Sequence, residues 1–292
     1  RPALPLRDRK TPMLRIAVPN KGSLAETAAE MLAEAGYTGR RDSKDLHVID
    51  PVNEVEFFYL RPKDIATYVG SGALDVGITG RDLLLDARMP GAREIEQLGF
   101  AGSTFRFAAP TGTFTDVAEL AGKRIATSYP GLVDAFLDER GIAVDLVPLD
   151  GAVESAVRLG VADAVADVVE TGTTLRQAGL EVFGPEILRS EAVLIAGPHD
   201  ADGTERLLRR LRGVLVARRY VLVDYDLPAA LVDEAVAIAG GIESPTISPL
   251  RDPEWVAVRV MVPRASVNTT MDELYAIGAR AILVTAIHNA RL

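Results

Sequence analysis

The stretch that most constrains this chain runs from Gly160 to Leu175 and reads G-V-A-D-A-V-A-D-V-V-E-T-G-T-T-L. Between Ala162 and Val169 every residue except Asp163 and Asp167 is alanine or valine. A short, nearly continuous apolar run of this kind is typical of a strand buried on both faces of a parallel sheet. The stretch therefore predicts a sheet of parallel strands.

A loop rich in hydroxyl groups follows this strand and leads into a helix that begins near Leu175. Its residues are Glu170, Thr171, Gly172, Thr173 and Thr174. Free N–H groups at a helix start attract anions, glycine lets the backbone approach closely, and the hydroxyls add donors. Asp167 and Glu170 would repel a bare phosphate, so we expect them to hold ribose hydroxyls or Mg²⁺ beside it. The loop predicts a sugar-phosphate site, and an ordinary helix cap is the alternative.

The composition narrows the class of protein. With 292 residues, 48% of them hydrophobic and 25% charged, the chain is expected to form about two soluble domains. No apolar run approaches the roughly 18 residues of a membrane helix, and no signal segment opens the chain. We therefore expect a cytoplasmic protein that does not associate with membranes.

The supply of reactive side chains is also restricted. The chain has no cysteine and only three histidines, His47, His199 and His288. Disulfides, thiolate catalysis and cysteine metal sites are thus excluded, and a histidine-rich metal centre is disfavoured. A net charge of -9 argues against a general nucleic-acid binder. Carboxylates, lysine, arginine and the backbone must supply the chemistry.

The first twelve residues, R-P-A-L-P-L-R-D-R-K-T-P, differ from the rest because they carry three prolines and five charges. We interpret residues 1–12 as a disordered extension or a cloning remnant.

Two parts of the chain repeat each other. A strand, turn and helix starting at Met13 recur over Lys123–Ile142, and the order helix, glycine, aspartate, strand, helix of Tyr68–Leu84 recurs over Val157–Leu175. The repeat predicts two α/β lobes, with ligand bound in the cleft between them. Chance similarity between common β-turn-α units is the alternative.

The boundaries of these lobes follow from the repeat. Residues 13–104 form the first predicted lobe, residues 105–189 the second, and residues 190–208 return to the first. Thr104–Pro110 and Glu191–Ile195 are the expected crossing strands, and lobe closure would be a hinge motion. Lys21 and Arg61 each lie between the end of a predicted strand and the start of a predicted helix. A cation beside a helix N-terminus favours the binding of an anion there.

Residues 210–292 have a different pattern, in which predicted strands and helices alternate as β-α-β-β-α-β. This is the order of a ferredoxin-like domain. An appended domain of this kind more often regulates or oligomerises than catalyses. Its polar positions Asp226, Ser244 and Thr246 are therefore candidates for binding a small effector at an intersubunit sheet edge, and simple turn chemistry is the alternative.

Several motifs together resemble a known family, ATP phosphoribosyltransferase of the long form, the first enzyme of histidine biosynthesis. The resemblance covers Met13 to the C-terminus. The motifs are P-N-K-G-S-L from Pro19, L-R-P-K-D-I from Leu60, D-V-G-I-T-G-R-D from Asp75, A-D-V-V-E-T-G-T-T-L from Ala166, E-S-P-T-I from Glu243 and M-D-E-L from Met271.

The resemblance implies a two-lobed catalytic core of the periplasmic-binding-protein type (type II) and a C-terminal regulatory domain. It implies transfer of the phosphoribosyl group of phosphoribosyl pyrophosphate to N1 of ATP, with release of pyrophosphate. It also implies Mg²⁺ as cofactor, histidine as feedback inhibitor, and homo-oligomers from dimers to hexamers.

The resemblance also assigns residues. Basic residues at the polyphosphates are Arg61 and Lys21, and the nucleotide side of the cleft is formed by Gly80, Asp82 and Tyr129. The phosphoribosyl group would contact Glu154, Asp167, Glu170, Thr171, Gly172, Thr173 and Thr174, of which Glu154 and Asp167 are candidate Mg²⁺ ligands. Histidine would be held by Asp226, Ser244, Thr246 and Ala281. His288 and Asn289 match no assigned position.

Two other functions fit parts of this pattern. A cytoplasmic two-lobed protein that binds or senses small anions would share the hinged lobes, although it would not need a metal beside a phosphate site. A phosphoribosyltransferase for a free base can carry a similar acidic loop, although it would not need the third domain.

Overall fold

The computed structural model describes residues 13–169 and 172–291. They form two compact units, of which the first contains the described residues up to Glu30 together with Tyr37–Glu205. The second contains Met31–Gly36 and the described chain from Arg206 onward.

The strands are β1 (Leu14–Pro19), β2 (His47–Asp50), β3 (Val55–Leu60), β4 (Val76–Gly80), β5 (Arg93–Gln97), β6 (Ser103–Pro110), β7 (Arg124–Thr127), β8 (Asp145–Pro148), β9 (Ala164–Val169), β10 (Leu180–Ser190), β11 (Ala192–Ala196), β12 (Tyr220–Pro228), β13 (Thr246–Pro249), β14 (Trp255–Pro263) and β15 (Arg280–Ala286). The α-helices are α1 (Ser23–Glu34), α2 (Pro62–Gly70), α3 (Arg81–Ala87), α4 (Pro130–Asp138), α5 (Glu154–Arg158), α6 (Thr173–Gln177), α7 (Thr204–Arg219), α8 (Val232–Ile238) and α9 (Val267–Ile277).

The first unit contains a six-stranded sheet in the order β2-β3-β1-β4-β11-β5. Strand β1 is parallel to β3 and β4, whereas β11 runs antiparallel to β4 and β5. Both faces of its centre are covered, because β1, β4 and β11 are almost entirely buried. These strands are mainly apolar for that reason, with Arg15 in β1 and Thr79 in β4 as exceptions.

The same unit contains a five-stranded sheet in the order β10-β6-β9-β7-β8. Strand β7 is parallel to β8 and β9, and β6 runs antiparallel to β9 and β10. Each sheet thus has parallel strands around a central first strand and an antiparallel crossing strand beside them, β11 in the first sheet and β6 in the second. The first sheet also has the antiparallel edge strand β2. This is the two-lobed arrangement of periplasmic binding proteins of type II, as predicted.

Aromatic side chains form part of the core beside the second sheet. Phe105 and Phe107 of β6 are fully buried, and the Phe107 ring packs against Phe136 and Phe183 at centroid distances of 5.8 and 6.1 Å. This packing joins strand β6, which crosses between the lobes, to helix α4 and strand β10.

The second unit has an antiparallel sheet in the order β13-β14-β12-β15. Alternate residues of β12, namely Val221, Val223, Tyr225 and Leu227, are buried in a core with residues of α8 and α9. The order of elements is the β-α-β-β-α-β of a ferredoxin-like domain. Helix α7 runs through residue 210, so the predicted boundary there lies inside a helix.

One predicted strand differs in length from the structure. Strand β9 begins at Ala164 and not at Ala162, because Asp163 turns its carboxylate toward Arg124 and accepts hydrogen bonds from it. Its last three residues are partly exposed, where the sequence predicted burial on both faces. Across the residues that the structure describes, no helix is both long and apolar enough to cross a membrane.

Candidate active site

The predicted site residues of the two-lobed unit lie at one end of its strands. Lys21 follows β1, Arg61 follows β3, Gly80 ends β4, and Tyr129 comes two residues after β7. Parallel strands place their carboxyl ends at the same edge of a sheet, where ligands of α/β proteins bind. Asp167 lies in the second half of β9, toward the corresponding edge of the second sheet.

The two candidate catalytic cations belong to neighbouring loops. The N–H group of Asn20 donates to the Leu60 carbonyl at 2.8 Å, which joins the loop of Lys21 to that of Arg61. Arg61 is exposed in the extended conformation at the N-cap of α2, with Pro62 in the first turn. Both side chains are exposed, so both are available to a polyanion.

Asp82 is held in place by Ser190. The Asp82 N–H group donates to the Ser190 hydroxyl at 3.0 Å, and that hydroxyl donates to Asp82 Oδ1 at 2.9 Å. Both residues are buried. Gly80 leaves room for this contact, because a Cβ atom at position 80 would collide with Oδ1 of Asp82 unless that side chain moved.

Tyr129 of the second lobe reaches this same carboxylate. Its ring packs edge-on against Phe105 with centroids 5.1 Å apart. Burial raises the pKa of the Tyr129 phenol, and the charge of Asp82 and a hydrogen bond between the two side chains raise it further. The phenol therefore stays protonated and can donate to Asp82. The structure thus brings together Gly80, Asp82 and Tyr129, the three residues predicted for the nucleotide side.

Asp167 and Glu154 are two acidic residues of the second lobe, and the charge of Glu154 acts on Asp167. Burial raises the pKa of the Asp167 carboxyl, and the charges of Glu154 and Asp82 act in the same direction. The Val168 N–H group donates to Asp167 at 2.8 Å and lowers the pKa in part. Two carboxylates that repel each other provide oxygen ligands that fit a divalent cation. The structure does not form a larger cluster, since no group of three or more candidate metal ligands occurs among residues 13–169 and 172–291.

The predicted phosphate loop is described only in part, because Glu170 and Thr171 lie outside the described residues. Gly172 precedes α6 with φ of 68°, a left-handed conformation that favours glycine. Thr173 and Thr174 form the first turn of α6 and are exposed. The loop is anchored upstream, where the Thr104 hydroxyl donates to the Val169 carbonyl at 3.0 Å.

Asp86, one turn after Asp82 on α3, joins the two lobes, and the sequence analysis did not single it out. Its Oδ1 accepts hydrogen bonds from the N–H groups of Gly131 at 2.8 Å and Leu132 at 3.1 Å, so it joins α3 of the first lobe to α4 of the second. Burial raises the pKa of its carboxyl, and these two hydrogen bonds oppose that shift. The sequence offered one signal, the four-residue spacing from Asp82 that places both carboxylates on one face of a helix.

Three of the four candidate effector residues lie on different strands of the second unit, and Ser244 precedes one of these strands. Asp226 of β12 pairs in register with Arg280 of β15, next to Ala281. Ala281 has φ of 51° at an irregularity in that pairing. Thr246 is on β13 and pairs with β14, and Ser244 comes just before it. Strand β14 therefore separates Ser244 and Thr246 from Asp226 and Ala281 within one chain.

Known proteins match this chain over nearly its whole length. The family model "ATP phosphoribosyltransferase" matches residues 61–213, and the model for the C-terminal domain of the same family matches residues 217–289. ATP phosphoribosyltransferase from Arthrobacter sp. strain FB24 is 63% identical over 287 residues, which cover 96% of this chain and 100% of the relative. The enzyme of that name from Streptomyces avermitilis is 60% identical over 286 residues, with the same coverage.

A solved structure agrees with these sequence matches. A chain of the ATP phosphoribosyl transferase (HisG:HisZ) complex from Thermotoga maritima superimposes with a TM-score of 0.59 and 29% identity. The match covers 68% of this chain and 97% of that one. The chain belongs to the ATP phosphoribosyltransferase family, whose members are transferases of the first step of histidine biosynthesis.

Proposed function

We propose that this chain transfers the phosphoribosyl group of phosphoribosyl pyrophosphate to N1 of ATP and releases pyrophosphate. The observation that carries the proposal is the division of charge at the site. Exposed cations, Lys21 and Arg61, belong to the first lobe, and the carboxylate pair of Glu154 and Asp167 belongs to the second. The hydrogen bonds from Gly131 and Leu132 of the second lobe to Asp86 of the first support a site to which both lobes contribute.

The proposed reaction requires little proton transfer. The N1 lone pair of adenine attacks the anomeric carbon as the bond from that carbon to pyrophosphate breaks, and the leaving group takes the bonding electrons. Because the nucleophile already has a free lone pair, no strong general base is needed. Lys21 and Arg61 would offset the negative charge that grows on pyrophosphate. The carboxylates would offset the positive charge that develops on the ribose.

Positioning is the second contribution of the chain. Holding two polyanions in line can lower the barrier by several kcal/mol. The Tyr129 and Asp82 pair would fix the adenine side of the cleft, and the loop from Glu170 to Thr174 would hold the 5-phosphate. Glu154 and Asp167 would hold Mg²⁺, which when bound supplies positive charge to the pyrophosphate oxygens.

The regulatory part of the proposal concerns the second unit. Histidine would bind there through Asp226, Ser244, Thr246 and Ala281. Since β14 separates two of these from the others, the proposed binding site would be completed by the same sheet of another chain, in an oligomer of dimers up to a hexamer. We propose a cytoplasmic location for this assembly. Multi-angle light scattering with and without histidine measures the mass, and a monomer in both conditions would contradict the assembly.

The reaction is tested by absorbance on the long-wavelength side of the ATP band, where adenine substituted at N1 is expected to absorb. The protein is mixed with ATP, phosphoribosyl pyrophosphate and Mg²⁺, and each component is omitted in turn. We expect a rise that requires both substrates and is suppressed by histidine. No rise from folded protein would contradict the proposed transfer, and a rise insensitive to histidine would contradict only the regulatory part.

A further inference from the structure

Two helices from different lobes meet at a polar junction. Helix α3 presents Asp86 to the first turn of α4, where the N–H groups of Gly131 and Leu132 have no partner within their own helix. One oxygen, Asp86 Oδ1, accepts from both. The Asp86 carboxyl is partly buried, and burying a charge without such donors would be costly. Asp86 therefore accepts hydrogen bonds from two backbone N–H groups that belong to the other lobe.

The backbones at this junction approach each other closely. A Cβ atom built on Gly131 would overlap the carbonyl oxygen of Asp86 and lie 3.3 Å from its Oδ1. The position of α4 relative to α3 thus depends on a glycine in one lobe and a carboxylate in the other. A larger residue at position 131 would force the two helices apart.

The same pair of helices carries the nucleotide side of the proposed site. Asp82 lies one turn before Asp86 on α3, and Tyr129 is the N-cap residue of α4. The Tyr129 phenol lies near the Asp82 carboxylate, which adds to the effect of burial in raising the pKa of the phenol. A shift of α4 along or away from α3 would change the distance between these two side chains first.

We propose that Asp86 is a positioning residue, which locks α4 against α3 and so sets both the angle between the lobes and the placement of Tyr129 against Asp82. This effect does not require substrate, because the hydrogen bonds of Asp86 are all within the chain. Its effect on catalysis rests on the proposed function, whereas its effect on the lobe angle does not. The two effects are therefore measured separately.

A change in the angle between the lobes can be detected by pulsed electron paramagnetic resonance, which measures the distance between two spin labels. Because the chain has no cysteine, the labels attach only to cysteines that are introduced by mutation. Thr67→Cys on α2 and Leu159→Cys after α5 are exposed positions in different lobes. Distances are recorded without substrates in this labelled background and in the same background carrying Asp86→Asn, Asp86→Leu or Asp134→Asn.

The three variants separate hydrogen bonding from charge. Asp86→Asn keeps a carbonyl oxygen as acceptor, so we expect a distribution close to that of the background. Asp86→Leu loses the acceptor, so we expect a shifted or at least twofold broader distribution. Asp134→Asn removes an exposed ion pair with Arg88 across the same junction, 2.9 Å long, and should leave the distribution unchanged. An unchanged distribution in Asp86→Leu would overturn the proposal.

Gly131→Ala tests the junction from the second lobe and covers the case in which Asp86→Leu does not fold. We expect it to shift the distribution as Asp86→Leu does, and an unchanged distribution would again count against the lock. In the transferase assay, Asp86→Leu should lower kcat about tenfold, with the KM for phosphoribosyl pyrophosphate within about twofold. Asp86→Asn should restore most of this loss. A shifted distance with normal kcat would refute the positioning role while leaving the proposed reaction intact.

Discussion

Asp163 and Arg124 form in the second lobe the same pair that Asp75 and Arg15 form in the first. In each pair the arginine N–H group and Nε donate to Oδ2 of the aspartate, and Nη2 donates to Oδ1. The backbone contacts are 2.9 and 2.8 Å long, and the Nη2 contacts are 2.8 and 2.9 Å long. The repeat predicted from the sequence is therefore also a repeat of side-chain contacts.

The Asp163 pair predicts a pH dependence of stability. Hydrogen bonds from the Arg124 side chain and backbone lower the pKa of Asp163 to about 2. A carboxyl whose pKa is lower in the folded chain stabilises it above the unfolded value of about 4, and this stabilisation is lost as the pH falls toward 2. We expect Asp163→Asn to be less stable than the unaltered chain at pH 7, with the difference shrinking between about pH 4 and pH 2.

Urea unfolding at a series of pH values measures this difference, and the loss at pH 7 should be small because the pair is partly exposed. Asp145→Asn, which removes an exposed carboxylate at the start of β8, is the control. A difference that stays constant from pH 7 to pH 3 would contradict the role of the carboxylate.

The buried pair of Ser190 and Asp82 predicts a loss of stability. Ser190→Ala removes the donor to Asp82 Oδ1 and the acceptor of the Asp82 N–H group. Leaving buried polar atoms without partners costs about 1–3 kcal/mol of the free energy of unfolding. Urea denaturation measures it, with Ser71→Ala as the matched control, since Ser71 is exposed and donates to the Tyr68 carbonyl. Equal losses in the two variants would argue against the buried contact.

Tyr129→Phe tests the nucleotide side of the site. The variant keeps the ring that packs on Phe105 and loses only the hydroxyl that bonds to Asp82. We expect kcat/KM for ATP to fall about tenfold, since a hydrogen bond to a charged group contributes roughly 1.5–3 kcal/mol. Tyr68→Phe, which alters an exposed tyrosine of α2, is the control. If both variants keep full activity, Tyr129 does not act through its hydroxyl.

Arg61→Ala tests the cation at the end of β3. If Arg61 offsets charge that grows on the leaving pyrophosphate, its removal should lower kcat about 10²-fold or more and raise the KM for ATP much less. Lys123→Ala removes a cation that precedes β7, at the amino end of that strand, and should have little effect. A raised KM with an unchanged kcat would mean that Arg61 binds substrate and transition state alike, and equal changes in kcat and KM would also contradict the assigned role.

Asp226→Asn tests the effector site. We expect the histidine concentration that halves the rate to rise about tenfold, relative to the uninhibited rate of the same variant. Asp224→Asn is a matched control two residues earlier on β12, where the carboxylate pairs with Arg259 at 2.7 Å. If the same histidine concentration halves the rate of both variants, Asp226 does not take part in histidine binding.

The sequence by itself determined the architecture of each unit. The apolar run of β9 predicted a parallel strand, although its last three residues are less buried than expected, and the repeat predicted two lobes, because an apolar run and a strand-turn-helix order are local patterns. The motifs around Lys21, Arg61 and Gly80 also identified the family, since a shared motif depends on residue order alone.

Only the tertiary structure decided which distant residues meet. Nothing in the order of residues pairs Asp82 with Tyr129 and Ser190, or Asp86 with Gly131 on another lobe, because those contacts depend on how the two sheets pack. The separation of Thr246 from Asp226 by β14 likewise follows from strand order in the sheet. Side-chain contacts across elements depend on distance in space, which a local sequence pattern does not encode.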